Sequence, residues 1–137
     1  MASQPLADVS VLELSTMIAG PYAGQILGDM GADVVKIERP SEGELARDIE
    51  PKFDEESFYY LTANRNKRSL ALDVTTDEGR KLFYDLAERV DVILLNFPPE
   101  FADRYNIDYE SVRERNREVI YCSISAFGNS GPYSEYN

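Results

Sequence analysis

Short runs of β-branched and aliphatic residues alternate with stretches whose apolar positions recur at helical spacing, along almost the whole chain. This pattern predicts a parallel sheet with crossover helices, an α/β fold. Residues 9–15 form the first predicted strand. Pro21 then stands where the first turn of a helix tolerates a missing amide, and residues 22–30 run helically to a stop at Gly31. Residues 33–38 are the second strand. Residues 41–54 are polar and broken by Gly43 and Pro51, which predicts a long irregular surface connection before a short helix over 55–64. Residues 68–74 are the third strand. Thr75 and Glu78 have the spacing of a capping box for a helix that puts Leu82, Phe83, Leu86, Ala87 and Val90 on one core-facing side. The near-continuous apolar run 91–96 reads as a centre strand buried on both faces. Pro98 and Pro99 open a helix to Tyr105, Asp108 caps another through Arg115, and 118–125 is a fifth strand. Short connections favour the strand order 3-2-1-4-5, a doubly wound sheet whose order reverses between strands one and four.

The 137 residues, 43% of them hydrophobic, suffice for one cored domain. No run approaches the roughly 20 apolar residues of a membrane span, and the opening residues lack the basic and apolar regions of a secretion signal, so the chain reads as soluble and cytoplasmic. A formal charge of −11 speaks against nucleic acid and anionic membranes as partners. The chain has no histidine, which excludes Ser-His-Asp and Cys-His machinery within it, and no metal site is expected. Its one cysteine, Cys122, lies in an apolar run and reads as a core residue. Charge is uneven. Residues 42–56 hold seven acids against Arg47 and Lys52, whereas 64–68 carry three cations and no acid, either a solvated loop or an anion-facing rim.

In open parallel sheets, ligands bind beyond the carboxyl ends of the strands where strand order reverses. The residues placed there are Thr16, Met17, Ile18 and Ala19 after strand one, Glu38 and Arg39 after strand two, and Asn96, Phe97 and Pro98 after strand four, with Arg104 within reach on the next helix. Glu38 stands about twenty residues after the first turn, where a dinucleotide site keeps its ribose-binding acid. The turn itself reads Ala19-Gly20-Pro21-Tyr22-Ala23-Gly24 instead of G-x-G-x-x-G, and Pro21 removes an amide that a pyrophosphate would use. Arg39 is a planar fork suited to phosphate. A ligand with a phosphorylated ribose is therefore preferred over plain NAD. Each residue also has a plainer reading: Arg39 as a surface cation, Asn96 as a helix cap, Phe97 as core, Arg104 paired with Asp103.

Four ordered blocks carry a more specific signal: residues 11–14 with Ala19-Gly20-Pro21, the run 27–40, Asn64-Arg65-Asn66-Lys67-Arg68-Ser69-Leu70, and Phe127-Gly128-Asn129-Ser130-Gly131-Pro132-Tyr133. In order and spacing the chain resembles the amino-terminal part of the family III CoA transferases, a group that includes formyl-CoA transferase and α-methylacyl-CoA racemase. The resemblance implies a Rossmann-like CoA-binding domain over residues 1–137, an incomplete large domain, with the family's smaller domain and returning carboxyl-terminal segment absent. By resemblance, Ile18 and Ala19 match the turn along CoA, Arg39 a cation near its adenosine phosphate, and Asn96, Phe97 and Pro98 the segment packing on the nucleotide. Leu72, Asp73, Val74 and Thr75 match the end of another contacting strand, and Arg104 a phosphate contact; Thr75 stands near a position where relatives carry lysine.

The resemblance further implies an aspartate that attacks an acyl-CoA thioester, passing through a mixed anhydride and an enzyme-bound CoA thioester, so that CoA moves between carboxylic acids. That aspartate follows a Gly-Tyr-Asp or Gly-His-Asp motif expected beyond Asn137; Glu135 is the one acid after the last block and a poor substitute. No catalytic residue is thus expected within the chain, and the isolated piece is expected to be inactive. CoA or acyl-CoA is expected as substrate rather than as a permanently bound cofactor, a carboxylic acid as acceptor, and an interlocked homodimer as the full-length form. The competing readings are an acyl-CoA racemase of the same family, a non-catalytic module binding CoA or another adenine nucleotide, and an NADP-binding domain.

Overall fold

A computed structural model describes residues 4–134. Along the chain follow β1 (Ser10–Leu14), α1 (Ala19–Asp29), β2 (Asp33–Glu38), a 3-10 turn (Leu45–Asp48), β3 (Lys52–Phe53), β4 (Glu56–Ser57), α2 (Phe58–Asn64), β5 (Lys67–Ala71), α3 (Asp77–Ala87), β6 (Val92–Leu95), α4 (Pro99–Arg104), α5 (Tyr109–Arg113) and β7 (Ile120–Ser123). Five strands form one sheet in the order β5-β2-β1-β6-β7, every pair parallel, and helices flank it on both faces. This is the expected α/β order, with its reversal between β1 and β6. β3 and β4 form a separate small antiparallel hairpin inside the acidic connection, which the sequence had suggested to be irregular.

Side chains alternate across a strand, so β1 divides its residues between two layers. Leu12 and Leu14 join Phe83 and Ala87 of α3, Ala102 of α4 and Val112 of α5 in the larger core. Val11 joins Val34 and Leu94 beneath Ala23 and Leu27 of α1. Glu13 shares that second face and is fully buried, next to Lys36 at 1% exposure and directly opposite it in the β1–β2 register.

Helix α1 comes unusually near the sheet because Gly20, Gly24 and Gly28 recur at one-turn spacing on its inner side. A Cβ on Gly24 would stand 2.0 Å from Glu13 Oε2, and one on Gly20 would stand 2.2 Å from Ser15 Cβ. Pro21 is the third helical residue, where its missing amide is one of the donors a helix start leaves unpaired.

Four local expectations need correction. Thr76, rather than Thr75, caps α3, its hydroxyl accepting from the Gly79 amide at 3.0 Å; Thr75 instead donates to Asp73 Oδ1 at 2.6 Å. No capping box forms, because the chain turns one residue later than the pattern implied. Leu82 is 53% exposed, since Phe83 and Ala87 occupy the inward side of α3. Arg115 lies beyond α5, which ends at Arg113. Cys122 is exposed rather than core: β7 is an edge strand that turns Tyr121 toward the larger core, leaving Ile120 and Cys122 on the open face.

Candidate functional site

The carboxyl ends of the central strands open into two adjoining hollows. The first, about 500 Å³, has apolar walls from Leu14, Ile37, Leu72, Val74, Phe97 and Phe101, and its rim carries Arg39, Asp73, Thr75, Ser41 and Glu42. The second, about 340 Å³, is lined by Ala19, Asn96, Phe97, Pro98 and residues 124–126 after β7. Phe97 belongs to both. Its ring is half-buried and stacks on Phe101 with centroids 4.7 Å apart, which fixes the wall between them.

Nine of the eleven residues matched to CoA by resemblance therefore line one of these two hollows: Arg39, Leu72, Asp73, Val74, Thr75 and Phe97 the first, and Ala19, Asn96 and Pro98 with Phe97 the second. Ile18 faces a different depression with Tyr22 and Tyr59, on the outer side of α1. Arg104 lines neither hollow; it is exposed, with its guanidinium 5.7 Å from the Tyr105 ring centroid. Glu135 lies outside the described residues.

The polar groups divide into those that are free to meet a ligand and those already spent on the scaffold. Arg39 is free in this sense: its side chain is 61% exposed, and its one ion pair among the described residues, to Glu42, is long at 3.4 Å. Asp73, across the rim, is held below the usual carboxylate range by hydrogen bonds from the Thr75 hydroxyl and amide, with a smaller contribution from the charge of Arg39. Glu38, a candidate ribose acid, is spent. It is 5% exposed, accepts a two-pronged bond from Arg47 at 2.9 Å on each oxygen, and accepts the Glu44 amide at 2.8 Å. Burial pushes the Glu38 pKa up, but the Arg47 and Ser69 hydrogen bonds outweigh it and the net shift is downward.

Asn96 is likewise structural and caps no helix. Its Oδ1 accepts the Thr16 amide at 2.9 Å and its Nδ2 donates to the Thr16 carbonyl at 2.8 Å, a clip joining the ends of β1 and β6 across the reversal point. The three cations of 64–68 form no anion-facing rim: Arg65 pairs with Asp29 at 2.5 Å, Arg68 with Asp33 at 2.6 Å, and Lys67 turns inward.

Beneath the turn that follows β1 lies a buried layer of charge that pattern reading missed. Lys36 Nζ reaches Glu44 Oε2 at 2.8 Å, Glu13 Oε1 at 3.0 Å and the Ser15 carbonyl at 2.7 Å. Lys67 Nζ reaches Glu13 Oε2 and the Pro21 carbonyl, both at 2.7 Å. Two carboxylates and two ammonium groups thus balance within the layer. Burial pushes the Lys67 pKa down against the pull of Glu13. Burial also works to raise Glu44, but Lys36 and the donors on Met17 and Thr16 prevail and hold it low. The signal that was available is the presence of Glu13 and Lys36 in the middle of otherwise apolar strands. Glu44 gave none, being one of seven acids in a polar stretch.

Comparison with known proteins gives a consistent result. The family model described as CoA-transferase family III matches residues 6–137. The chain is 43% identical to a succinate–glutarate CoA-transferase of Agrobacterium fabrum, over 96% of this chain and 35% of the relative. It is 46% identical to a succinyl-CoA:mesaconate CoA-transferase of Haloarcula hispanica, over 90% of this chain and 32% of that protein. Among solved structures, a CaiB/BaiF family protein from Brucella suis superposes with a TM-score of 0.92 at 41% identity, covering 98% of this chain and 37% of that one. The chain spans about a third of the length of the curated relatives it matches.

Proposed function

Since the chain belongs to CoA-transferase family III, we propose that it forms the CoA-holding part of an acyl-CoA transferase that moves CoA between carboxylic acids. The observation that carries this reading is the apolar first hollow with exposed Arg39 at its rim, separated only by Phe97 from a second hollow at the reversal point. The adenine lies against Phe97, Leu72 and Val74, the ribose phosphate meets Arg39, and the pantetheine arm continues past Asn96 and Pro98 toward Ala19. CoA is a substrate held through the cycle, not a resident cofactor.

The proposed chemistry explains why holding matters. An aspartate carboxylate supplied from outside this chain attacks the thioester carbonyl; the C–S bond breaks, CoA leaves as a thiolate, and a mixed anhydride remains. The thiolate then attacks the aspartyl carbonyl, releasing the first carboxylate and leaving an aspartyl-CoA thioester. The acceptor carboxylate attacks that thioester and expels the thiolate again, and the thiolate finally takes the acceptor's acyl group from the new anhydride. CoA is expelled and recaptured twice, so it must be retained by contacts remote from sulfur, which keep the reacting atoms at high effective concentration. No turnover is expected from the 137-residue chain alone, and the full-length form is proposed to be a homodimer.

Calorimetric titration of the chain with CoA, 3′-dephospho-CoA and NADP⁺ tests the reading. CoA is expected to bind most tightly, with loss of the 3′-phosphate weakening it. Tighter binding of NADP⁺, or no heat with CoA, would overturn it.

A further inference from the structure

Glu44 reaches inward from the 41–45 segment to the turn after β1. It is 4% exposed, and its Oε1 accepts the Thr16 hydroxyl at 2.8 Å, the Met17 amide at 2.7 Å and the Ala46 amide at 3.2 Å. Its other oxygen is fixed by Lys36 at 2.8 Å, which is itself anchored on Glu13 and the Ser15 carbonyl. Met17 has φ +66, the left-handed region that favours glycine, and it is not glycine. A strained residue of this kind persists only where its surroundings over-determine it, and it commonly marks a functional turn. Here Asn96 clips the Thr16 backbone, and the Glu44 carboxylate holds the Thr16 hydroxyl and the amide of Met17 itself. Immediately after Met17, Ile18 opens α1 and Ala19 lines the second hollow.

The 41–45 segment also builds the first hollow. Ser41 and Glu42 stand on its rim, and the backbone of Glu44 is bonded to Glu38 Oε2 at 2.8 Å. Its backbone amide thus serves the adenosine side through Glu38, whereas its side chain serves the turn beside the second hollow.

We propose that Glu44 is a positioning residue: its buried carboxylate, oriented by Lys36, holds the Thr16–Met17 turn in the shape that receives the pantetheine arm. The proposal rests on the CoA reading given above. Its specific content is that Glu44 acts on the arm of CoA and not on the adenosine end. Apparent affinity falls by the fraction of molecules whose turn remains formed.

The test compares binding of CoA with that of adenosine 3′,5′-bisphosphate, which fills only the first hollow, together with hydrogen exchange of the Met17 amide. In Glu44→Ala, CoA affinity is expected to fall about tenfold, the fraction of formed turns dropping to about a tenth. Adenosine 3′,5′-bisphosphate affinity stays unchanged, and Met17 exchange rises while Leu12 and Ile93 remain protected. Glu44→Gln keeps an acceptor for Thr16 and Met17 but sets its amide nitrogen against the Lys36 ammonium, and is expected to recover only part of the CoA affinity. Should Glu44→Ala fail to fold, Thr16→Val removes one bond to the carboxylate and is expected to show the same split between ligands, reduced in size. Equal loss for both ligands, or unchanged CoA binding with unchanged Met17 exchange, would overturn the role of Glu44. Failure of either ligand to bind the unmodified chain would instead overturn the CoA reading, a result visible before any variant is made.

Discussion

Replacing Gly24 with alanine sets two effects of opposite sign against each other. In an ordinary helix interior, alanine is more favourable than glycine by about 1 kcal/mol. In α1 the new Cβ would stand 2.0 Å from Glu13 Oε2, 2.9 Å from Glu13 Cδ and 3.2 Å from Lys67 Nζ. Glu13 has no room to withdraw, because it is fully buried and held by Lys36 at 3.0 Å and Lys67 at 2.7 Å. Either α1 lifts from the sheet or the Glu13–Lys67 pair opens. Breaking a buried pair costs about 3–5 kcal/mol, so the net loss for Gly24→Ala is about 2–4 kcal/mol after the helical gain. With a urea slope of about 2 kcal/mol per molar, the midpoint falls by roughly 1–2 M. Gly28→Ala is the graded control: its Cβ meets the Asn66 carbonyl oxygen at 3.0 Å and the Asn66 Cβ at 3.3 Å, with no buried ion pair in the way, and is expected to lose much less. Urea unfolding followed by circular dichroism reads both. An unchanged or raised midpoint for Gly24→Ala, or equal losses at both positions, would refute the argument.

Glu38 and Glu44 both titrate below their ordinary value of 4.5 in the folded chain. The unfolded chain therefore binds protons first as pH falls, so their contribution to stability is complete above pH 4.5 and is lost through the acid range below it. Urea midpoints from pH 6 to pH 3 check this, and a flat profile contradicts it. Arg39→Gln is expected to weaken CoA about five- to tenfold in calorimetry, since charged hydrogen bonds are worth about 1.5–3 kcal/mol before exposure is discounted; the urea midpoint stays put because the Arg39–Glu42 pair is exposed. Cys122 is expected to react with a chromogenic disulfide reagent in the native chain without denaturant. Protection until unfolding would show that β7 is covered.

Strand order, helix placement and the crevice were legible because they follow from apolar periodicity and the geometry of parallel connections. Arg39, Phe97 and the Leu72–Thr75 corner meet where strand ends must meet. What escaped was the assignment of polar side chains between ligand and scaffold. Asn96 bonds a backbone eighty residues away in sequence, and Glu38 is claimed by Arg47 from the folded-back 3-10 turn. Neither partner can be read from spacing. The exposure of Cys122 escaped for another reason: an apolar run does not reveal whether its strand is central or an edge.

Glu13 and Lys36 face each other in the middle of two neighbouring strands. Shifting β1 by one residue would turn Glu13 toward the Leu12–Phe83 side, strand the ammonium of Lys36 without its partner, and send a leucine among charges. An all-aliphatic pair would forgive that mispairing far more readily. The ionic layer therefore penalises misaligned sheets, whatever it adds to the native one.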